Sequence, residues 1–363
     1  MKIGRFYLQL PPCKGGMEKH VYELTKFQSK KYKTYIFFVK GNNLNFLNTK
    51  CNIKCGFLKY IYLIKRPIFI RYIFFNLCVI NKLLFHKQQF DVIHIHGDWS
   101  SLIFVKILKK LTKAKVVIFS LHDQLKNKFT HKKLLPKLVQ NVDLIFATGY
   151  EAAKQLEKLS GKKVIVQPSG VNEIFFKEFD KKFDNDIFTI VTVANLLPKK
   201  NLDFVLDIAK ECPSFQFVII GDGPKRKSLN LRIKKEKINN VKLLGFKTPH
   251  EIREYYQKSD VFLLTSFEEG TPTSALEAIT CGLAIVSSNA GGLCNIVKDN
   301  INGFVIKDFD KNKFVEKINF LYKNKELRKK IFENNKELSK NYSWEHVAYH
   351  ITKLTELKLH EKT

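Results

Sequence analysis

The sequence predicts an α/β fold built from two Rossmann-like, doubly wound domains, and three observations support this prediction. A chain of 363 residues is long enough for two domains that each bury a core. Short apolar runs typical of buried strands alternate with helical patterns along almost the whole chain. A Pro-Ser-Gly segment at 168–170 marks a break near the middle. We therefore divide the chain into domains at 1–172 and 173–340, followed by a helical segment at 341–363.

The first domain opens with a strand, Lys2–Leu10, and a turn that contains Gly15-Gly16. A helix follows from Met17 to about Lys30. Paired glycines between a strand and a helix let the backbone come close to a ligand at the helix N-terminus. The remaining predicted elements of this domain are strands at Tyr35–Lys40, Asp91–His96, Lys115–Leu121, Asp143–Thr148 and Lys163–Gln167 and a helix at Glu151–Leu159.

The region from about Gly56 to Gln88 mixes large apolar side chains with lysine and arginine. This mixture is typical of an interfacial helix on anionic lipid headgroups. It equally fits a core-packing helix whose lysines extend to solvent. The sequence leaves both interpretations open.

Histidines mark the ends of two predicted strands of the first domain. His94 and His96 share a face of one strand, and a metal site with Asp98 is conceivable, but no third ligand is suitably spaced. His122-Asp123 follows the next strand. Ligand sites in doubly wound sheets lie at the carboxyl ends of strands, so this pair is placed to contact a ligand. The alternative for His122 is a histidine satisfied by backbone partners.

The second domain repeats the alternation and ends in helices. A glycine turn at 221–224 lacks the third glycine of a dinucleotide fingerprint, which argues against a hydride-transfer enzyme. Its predicted strands are Ile187–Ala194, Phe215–Ile220, Val241–Leu244, Val261–Leu264, Ala284–Ser287 and Phe304–Ile306. Its predicted helices, with the C-terminal one, are 202 to about 212, Pro249–Gln257, a helix from Pro272, Lys311–Asn324, Glu326–Lys340 and Trp344–Leu359.

The most informative stretch is Ser266–Gly282, where a strand leads through an acidic loop into a helix. Thr271 is a good N-cap, Pro272 a good first helical residue and Gly282 a good stop. The amides and positive dipole end of such a helix suit a phosphate. Glu269 and Glu277 bracket the helix start, and carboxylates accept hydrogen bonds from sugar hydroxyls. The stretch therefore predicts a nucleotide-sugar site; the alternative is an N-capped surface helix with solvated acids.

Composition indicates a globular protein of a reducing compartment. Hydrophobic residues make up 45% of the chain and charged residues 27%, which excludes a disordered chain. The seven cysteines are scattered and include no Cys-x2-Cys pair, so we expect free thiols. No secretory signal is recognisable, and the longest apolar stretch, Ile68–Ile80, is interrupted by Arg71. We expect a cytoplasmic protein that is peripheral on the inner face of the plasma membrane.

The net charge of +29 is concentrated in the first domain. Residues 1–172 hold 31 Lys and Arg against 8 Asp and Glu, whereas the remainder holds 32 against 26. Because only the acids are depleted, and only on one side, a general compositional bias does not explain the pattern. The first domain is predicted to meet an anionic partner.

These motifs resemble the retaining glycosyltransferases of family four. Glu269 and Glu277 match the family's Glu-x7-Glu motif, Gly15-Gly16-Met17-Glu18 its Gly-Gly-x-Glu turn, and His122 its active-site histidine. Lys200 keeps the lysine of a Gly-Arg-Leu-x3-Lys-Gly segment, but Asn195 stands where the arginine is expected. Leu293-Cys294-Asn295 also departs from the family's Pro-Glu. The resemblance is strong over 186–306 and moderate before it.

The resemblance implies a GT-B fold, with two Rossmann-like domains facing across a cleft and the last helix crossing back to the N-terminal domain. It implies transfer of a hexose from a nucleoside-diphosphate sugar, UDP by default, with retention and without a metal ion or a cofactor. His122 and Glu269 would be catalytic and contact the donor sugar. The donor-binding residues would be Gly16, Asn195, Lys200, Gly245, Phe246, Gly270, Thr271, Pro272, Thr273 and Glu277.

The basic first domain favours an acceptor that is a glycan or glycolipid, such as lipopolysaccharide, capsule or a lipid-linked glycan, at an anionic membrane surface. Three other classes of protein fit the sequence less well. A noncatalytic nucleotide-sugar-binding protein fits Asn195. A nucleic-acid-binding protein fits the charge, but acids in the ligand loops would repel phosphates and no recognition motif is visible. A phosphorylase would require a longer chain and a lysine-bearing cofactor site.

Overall fold

The computed structural model describes residues 1–10, 16–38, 51–52, 68–122, 125, 129–184 and 186–362, with residues 51, 52 and 68 described by their backbone alone. The chain forms two compact units. Unit 1 consists of Met1–Gly170 with Trp344–Thr363, and unit 2 is Val171–Ser343. The sequence-based division falls after residues 172 and 340. Gly15, Asp123 and the segments 39–40 and 56–67 lie outside the described residues.

Unit 1 contains a parallel sheet in the order β3-β2-β1-β4-β5-β6-β7 among the described residues. Its strands are β1 (Lys2–Phe6), β2 (Lys33–Phe38), β3 (Cys51–Asn52), β4 (Val92–Gly97), β5 (Val116–Leu121), β6 (Leu144–Ala147) and β7 (Ile165–Val166). Its helices are α1 (Gly16–Ser29), α2 (Ile68–His86), α3 (Val105–Thr112), α4 (Leu135–Leu138), α5 (Tyr150–Ser160) and the C-terminal α12 (Trp344–His360).

The central strands of unit 1 are buried along their length because helices cover both faces of the sheet. α12 belongs to this unit although it comes last in the chain, and its Trp344 and Val347 pack with Val116 and Ile118 of β5. Trp344 also lies against Gly170, where a Cβ would come within 2.4 Å of the indole ring. The end of the chain therefore completes the core of the first unit.

α2 buries one side and exposes another, although both sides are apolar. Phe75 and Val79 are buried in the core of unit 1. On the other side Leu84 and Phe85 are 55% and 79% exposed. By length and composition, the stretch Phe69–His86 is the one described helix that could cross a membrane. The helix therefore combines the two roles that the sequence left open, a core face and an exposed apolar face.

Unit 2 contains a parallel sheet in the order β10-β9-β8-β11-β12-β13. Its strands are β8 (Thr189–Val193), β9 (Gln216–Ile220), β10 (Val241–Gly245), β11 (Val261–Leu264), β12 (Ala284–Ser288) and β13 (Gly303–Ile306). Its helices are α6 (Leu202–Glu211), α7 (Arg226–Lys235), α8 (Pro249–Lys258), α9 (Thr273–Thr280), α10 (Lys311–Lys323) and α11 (Lys325–Ser339).

Both sheets reverse their order of strands at a central pair, β1 with β4 in unit 1 and β8 with β11 in unit 2. In open parallel sheets, ligands bind outside the carboxyl ends of the strands at such a switch point. The loops that follow these four strands are therefore the first places to look for a functional site.

Most predicted elements lie within a few residues of their observed bounds, but two predictions were wrong. β1 ends at Phe6 rather than Leu10. The helix in the acidic stretch begins at Thr273, and its N-cap is Pro272, which has no capping side chain. Pro272 has ψ 117°, an extended value, so it precedes the helix rather than opening it.

Candidate functional site

An ion pair occupies the switch point of unit 2. Lys200 ends a short 3₁₀ turn after β8, and Glu269 lies in the loop after β11. The Lys200 Nζ donates a hydrogen bond to Glu269 Oε1. The two side chains are only 13% and 8% exposed. Buried charges are stable when paired, so each of these groups depends on the other or on a ligand that replaces it.

Two side chains at the end of β11 hold this pair in place. Ser266 Oγ donates to Glu269 Oε1 at 2.7 Å. Thr265 Oγ1 donates to the carbonyls of Lys200 and Asn201, at 3.2 and 3.0 Å. The loops after β8 and β11 are thus joined through both their backbones and their side chains.

A glycine turn after β12 supports the Glu269 loop from the other side. The Gly292 amide donates to the carbonyl of Gly270 at 2.6 Å. Gly291 has φ +66°, and a Cβ there would lie 2.0 Å from the carbonyl oxygen of Glu269. Only glycine fits this position, both for its backbone conformation and for its closeness to the loop.

The space in front of α9 is open. A Cβ at Gly270 would meet no atom within 4 Å, so the glycine leaves room beside the helix start. Glu269 is 7% exposed, whereas its neighbour Glu268 is exposed. Glu277 lies in the second turn of α9 and is partly buried. The helix offers free N-terminal amides next to two carboxylates, an arrangement suited to a ligand with both phosphates and hydroxyls.

Arginine approaches the carboxyl end of β10. Gly245 has φ +76°, and a Cβ there would lie 2.7 Å from a guanidinium nitrogen of Arg226. Arg226 is oriented by Asp222, whose Oδ2 accepts a hydrogen bond from its Nη1 at 2.7 Å. Phe246 beside it is largely exposed. A planar cation and an aromatic ring thus lie together at the strand end where the resemblance places the nucleotide base.

Asn195 follows β8 and is exposed. The next residue, Leu196, donates its amide to the carbonyl of Asp222 at 2.9 Å, which brings the Asn195 loop next to the Arg226 loop. Asn195 itself contributes a neutral amide at this edge.

In unit 1, histidines meet at the carboxyl ends of β4 and β5. His96 Nδ1 and His122 Nε2 lie 3.2 Å apart, within hydrogen-bonding range. His122 therefore has a histidine partner for its ring rather than the backbone partner considered as the alternative. His94 Nε2 lies 2.8 Å from Ser120 Oγ, and Asp98 caps a 3₁₀ turn through the Ser100 amide. The conceivable His94, His96 and Asp98 metal site is not formed, because two of these groups have other partners.

α1 contributes a third histidine to this edge. The His20 ring lies edge-on to His122, with centroids 4.6 Å apart, and its Nδ1 is 2.9 Å from Ser169 Oγ. Gly16 opens α1, and a Cβ there would meet no atom within 4 Å. As at Gly270, the glycine leaves open space at a helix N-terminus.

Burial keeps these imidazoles neutral. It lowers the pKa of His20, His94 and His96 well below the usual value, and nearby cationic groups lower it further. Burial lowers the pKa of His122 to about 3. Burial likewise lowers the pKa of Arg5, a core residue bonded to Thr25, to about 9. At neutral pH the edge presents neutral rings that can donate or accept hydrogen bonds.

Comparison with known proteins assigns the chain to a family. Residues 14–174 match the model of Glycosyltransferase Family 4, and residues 173–338 match that of Glycosyl transferases group 1. The chain is 30% identical, over 77% of its length and 79% of the other, to an uncharacterized glycosyltransferase of Methanocaldococcus jannaschii. This chain is a group 1, family 4 glycosyltransferase.

Other relatives of this glycosyltransferase have named activities. It is 25% identical to a phosphatidylinositol N-acetylglucosaminyltransferase protein of Arabidopsis thaliana, over 80% of this chain and 68% of that protein. Among solved structures it resembles Anabaena HepE in complex with UDP and glucose, with a TM-score of 0.75 at 18% identity, covering 98% of this chain and 99% of that one. The lipopolysaccharide outer core galactosyltransferase WaaB matches with a TM-score of 0.74 at 18% identity, covering 99% and 100%. The fold is therefore GT-B.

The glycosyltransferase brings several of the predicted residues together within unit 2. Lys200 contacts Glu269, and the Gly270 loop precedes Thr273 at the start of α9. Gly245 and Phe246 end β10 on the same carboxyl edge, three strands away from β11 in the sheet order. His122 and Gly16 lie in unit 1.

Sequence reasoning missed residues that hold the site, namely Thr265, Ser266, His20, Arg226 and Gly291. Thr265 and Ser266 could have been found, because they directly follow a strand and the carboxyl-end rule that selected His122 applies equally to them. His20 lies inside a helix, and nothing in its local sequence marks it as a neighbour of His122.

Proposed function

We propose that this glycosyltransferase is a retaining, metal-independent hexosyltransferase that uses a nucleoside-diphosphate sugar, with UDP as the preferred carrier. The observation that carries the proposal is the Lys200 and Glu269 pair at the switch point of unit 2. A bound donor would give each partner a replacement: the diphosphate would pair with Lys200, and sugar hydroxyls would bond to Glu269. The pairing of the two side chains with each other would be exchanged for pairing with the donor.

The chemistry is electrostatic. The departing diphosphate gains charge in the transition state, and Lys200 with the amides at the start of α9 would stabilise it. Glu269 would orient the sugar, with Ser266 fixing the carboxylate. Glu277 would hold the ribose, and Arg226 and Phe246 would lie against the base. His122 would contact the donor sugar, and its neutral ring would not repel the positive anomeric carbon. The leaving phosphate would accept the proton from the acceptor.

The names of similar proteins support the donor class and the acceptor class. HepE was solved with UDP and with UDP-glucose. WaaB is named as a lipopolysaccharide galactosyltransferase, and the Arabidopsis and human relatives as transferases to phosphatidylinositol. We therefore propose a lipopolysaccharide, capsule or lipid-linked glycan as the acceptor.

A turnover assay tests the function. The purified chain is incubated with UDP-glucose, UDP-galactose, UDP-N-acetylglucosamine or GDP-mannose, with and without a lipid-linked acceptor, and release of the nucleoside diphosphate is measured. We expect release from at least one UDP-sugar, undiminished by EDTA, and retained anomeric configuration in the product by NMR. Binding without release would favour the noncatalytic alternative, to which Asn195 lends support. Neither binding nor release from any donor would contradict the proposal.

We also propose that unit 1 attaches this enzyme peripherally to the cytoplasmic face of an anionic membrane. The exposed apolar side chains of α2, Leu77, Leu84 and Phe85, recur at helical spacing on one side. The opposite side of α2 packs into the core of the unit, which favours a helix lying on the bilayer over one crossing it. Residues 1–172 carry a surplus of 23 basic residues, and each one near the surface adds about 1 kcal/mol of attraction.

Vesicle co-sedimentation tests the attachment. We expect binding to phosphatidylglycerol vesicles at low salt and little binding to phosphatidylcholine. The double variant Leu84→Ser with Phe85→Ser should lose binding, whereas the control Leu231→Ser, an exposed leucine of unit 2, should keep it. Equal binding of all three proteins would contradict attachment through α2.

A further inference from the structure

Three histidines from separate elements converge at the switch point of unit 1. They are His20 of α1, His96 at the end of β4 and His122 after β5. One ring nitrogen from each lies within 4.8 Å of the other two. No pair of them is close in sequence, so the grouping is created by the fold alone.

Two of these rings carry buried nitrogens that have no partner. His20 Nε2 and His96 Nε2 make no hydrogen bond among the described residues, although both side chains are at most 2% exposed. A buried polar atom without a partner costs about 1–3 kcal/mol, and native proteins contain few of them. Two such atoms in adjacent rings indicate a ligand that both rings share.

The rings are prepared for a cation that accepts lone pairs. Burial lowers the pKa of each, so a neutral imidazole presents a lone pair without first losing a proton. Ser169 Oγ lies 2.9 Å from His20 Nδ1 and would orient that ring through its other nitrogen, as second-shell groups do in metal sites. His94 is equally buried, but its Nε2 is already engaged by Ser120.

The spacing fits a small transition-metal ion. Zinc binds histidine nitrogen at about 2.0–2.1 Å, which places two tetrahedral ligands about 3.3 Å apart. His96 Nδ1 and His122 Nε2 are already 3.2 Å apart. The remaining separation, up to 4.8 Å, closes by rotation of side chains. His122 is partly exposed and provides the route of entry.

We propose that His20, His96 and His122 bind one divalent transition-metal ion of the zinc class, with the fourth position open to water or another small ligand. An all-imidazole ligand set favours Zn²⁺, Co²⁺, Ni²⁺ or Cu²⁺ and disfavours Mg²⁺ and Ca²⁺, which prefer oxygen. The ion takes no part in transfer. Resting on the proposed function of His122, we further infer that the ion occupies this ring and competes with the donor sugar.

Titration of the untagged full chain with Co²⁺ tests the site directly. We expect one ion per chain and the intense visible absorption of four-coordinate Co²⁺, displaced by Zn²⁺ and not by Mg²⁺. His20→Ala and His96→Ala should each weaken binding at least about 100-fold. The control His350→Ala, a half-buried histidine of the same unit that contacts Gln167, should bind as the wild type does. Near-ultraviolet circular dichroism establishes that each variant is folded.

Wild type and a folded His20→Ala that bind Co²⁺ equally would overturn the site, as would weak binding of several ions with an octahedral spectrum. The competition is tested separately, by adding Zn²⁺ to the donor-turnover assay. Inhibition that is relieved by raising the donor concentration supports it, and one bound ion without inhibition overturns it. Because the Co²⁺ titration requires no turnover, failure of the proposed function and failure of the metal site are distinguishable.

Discussion

The two units share the order of their first six strands, but their switch points carry opposite kinds of side chain. In unit 2 the loops after β8 and β11 meet through a charged pair, Lys200 with Glu269. In unit 1 the elements around β1 and β4 meet through neutral imidazoles, with Arg5 as a buried neighbour. The same topology thus presents charge on one sheet and lone pairs on the other. Topology fixes where a ligand binds, and the loop residues fix which ligand it is.

The largest expected difference between the units is their response to acid. Burial lowers the pKa of four histidines in unit 1, that of His122 to about 3, so the native state binds fewer protons than the unfolded chain below about pH 6.5. The free energy of unfolding should therefore be unaffected above that pH and fall below it, by about 1.4 kcal/mol per pH unit for each histidine. Unit 2 contains a single histidine, His250.

Urea unfolding at pH 7.5 and pH 5 measures this difference. Both tryptophans, Trp99 and Trp344, lie in unit 1, so their fluorescence reports that unit alone, whereas far-ultraviolet circular dichroism reports both. The fluorescence midpoint should move to lower urea at pH 5, ahead of the dichroism. A fluorescence midpoint unchanged between the two pH values would show that the histidines are not buried in neutral form.

The next largest effect concerns the charged pair. Glu269→Ala should lower donor turnover by at least about 100-fold, since it removes a preorganised group at the reacting sugar. Glu268→Ala is the matched control, because its carboxylate is one residue away and exposed; it should keep most activity. Equal losses, or the reverse order, would assign the wrong glutamate to the site.

The glycine behind the pair allows a smaller, structural test. Gly291→Ala should lower the free energy of unfolding of unit 2 by about 2–4 kcal/mol, because the Cβ meets the Glu269 carbonyl. Turnover should fall with it. Gly161→Ala has a similar φ of +69° but no atom within 4 Å, so it should cost about 1 kcal/mol. The same loss in both variants, by urea unfolding followed by dichroism, would show that Gly291 does not support the loop.

The smallest expected effect is a gain. Asn195→Arg adds a guanidinium at the carboxyl edge of unit 2 and should tighten UDP binding by about threefold to tenfold. Asn239→Arg adds the same charge before β10, at the opposite edge, and should leave the affinity unchanged. Calorimetric titration with UDP compares the two. No gain, or an equal gain in both, would mean that Asn195 does not face the diphosphate.

The fold was accessible from sequence because it is written in local patterns. The apolar run Val261–Leu264 and the stop at Gly282 appear in the structure as predicted, since strand burial and a left-handed glycine depend on neighbours in the chain. The family assignment was confirmed for the same reason, through motifs that each span a few residues.

The contacts of the site were less accessible because they join distant parts of the chain. Lys200 and Glu269 were predicted to bind different parts of one ligand, and their bond to each other follows only from the adjacency of β8 and β11. His20 meets His122 only because α1 packs beside β4 and β5. The error at Pro272 was local: a residue favoured inside a helix start also serves as the extended residue before it.

Binding of UDP to lysine variants tests the central claim most directly, namely that the switch point of unit 2 holds the donor diphosphate. Lys199→Met and Lys200→Met remove the same charge from adjacent residues of one turn, of which Lys199 is exposed and Lys200 is not. By calorimetry, wild type and Lys199→Met should bind UDP alike, and Lys200→Met at least about tenfold more weakly. Equal affinities for the two variants would contradict the account.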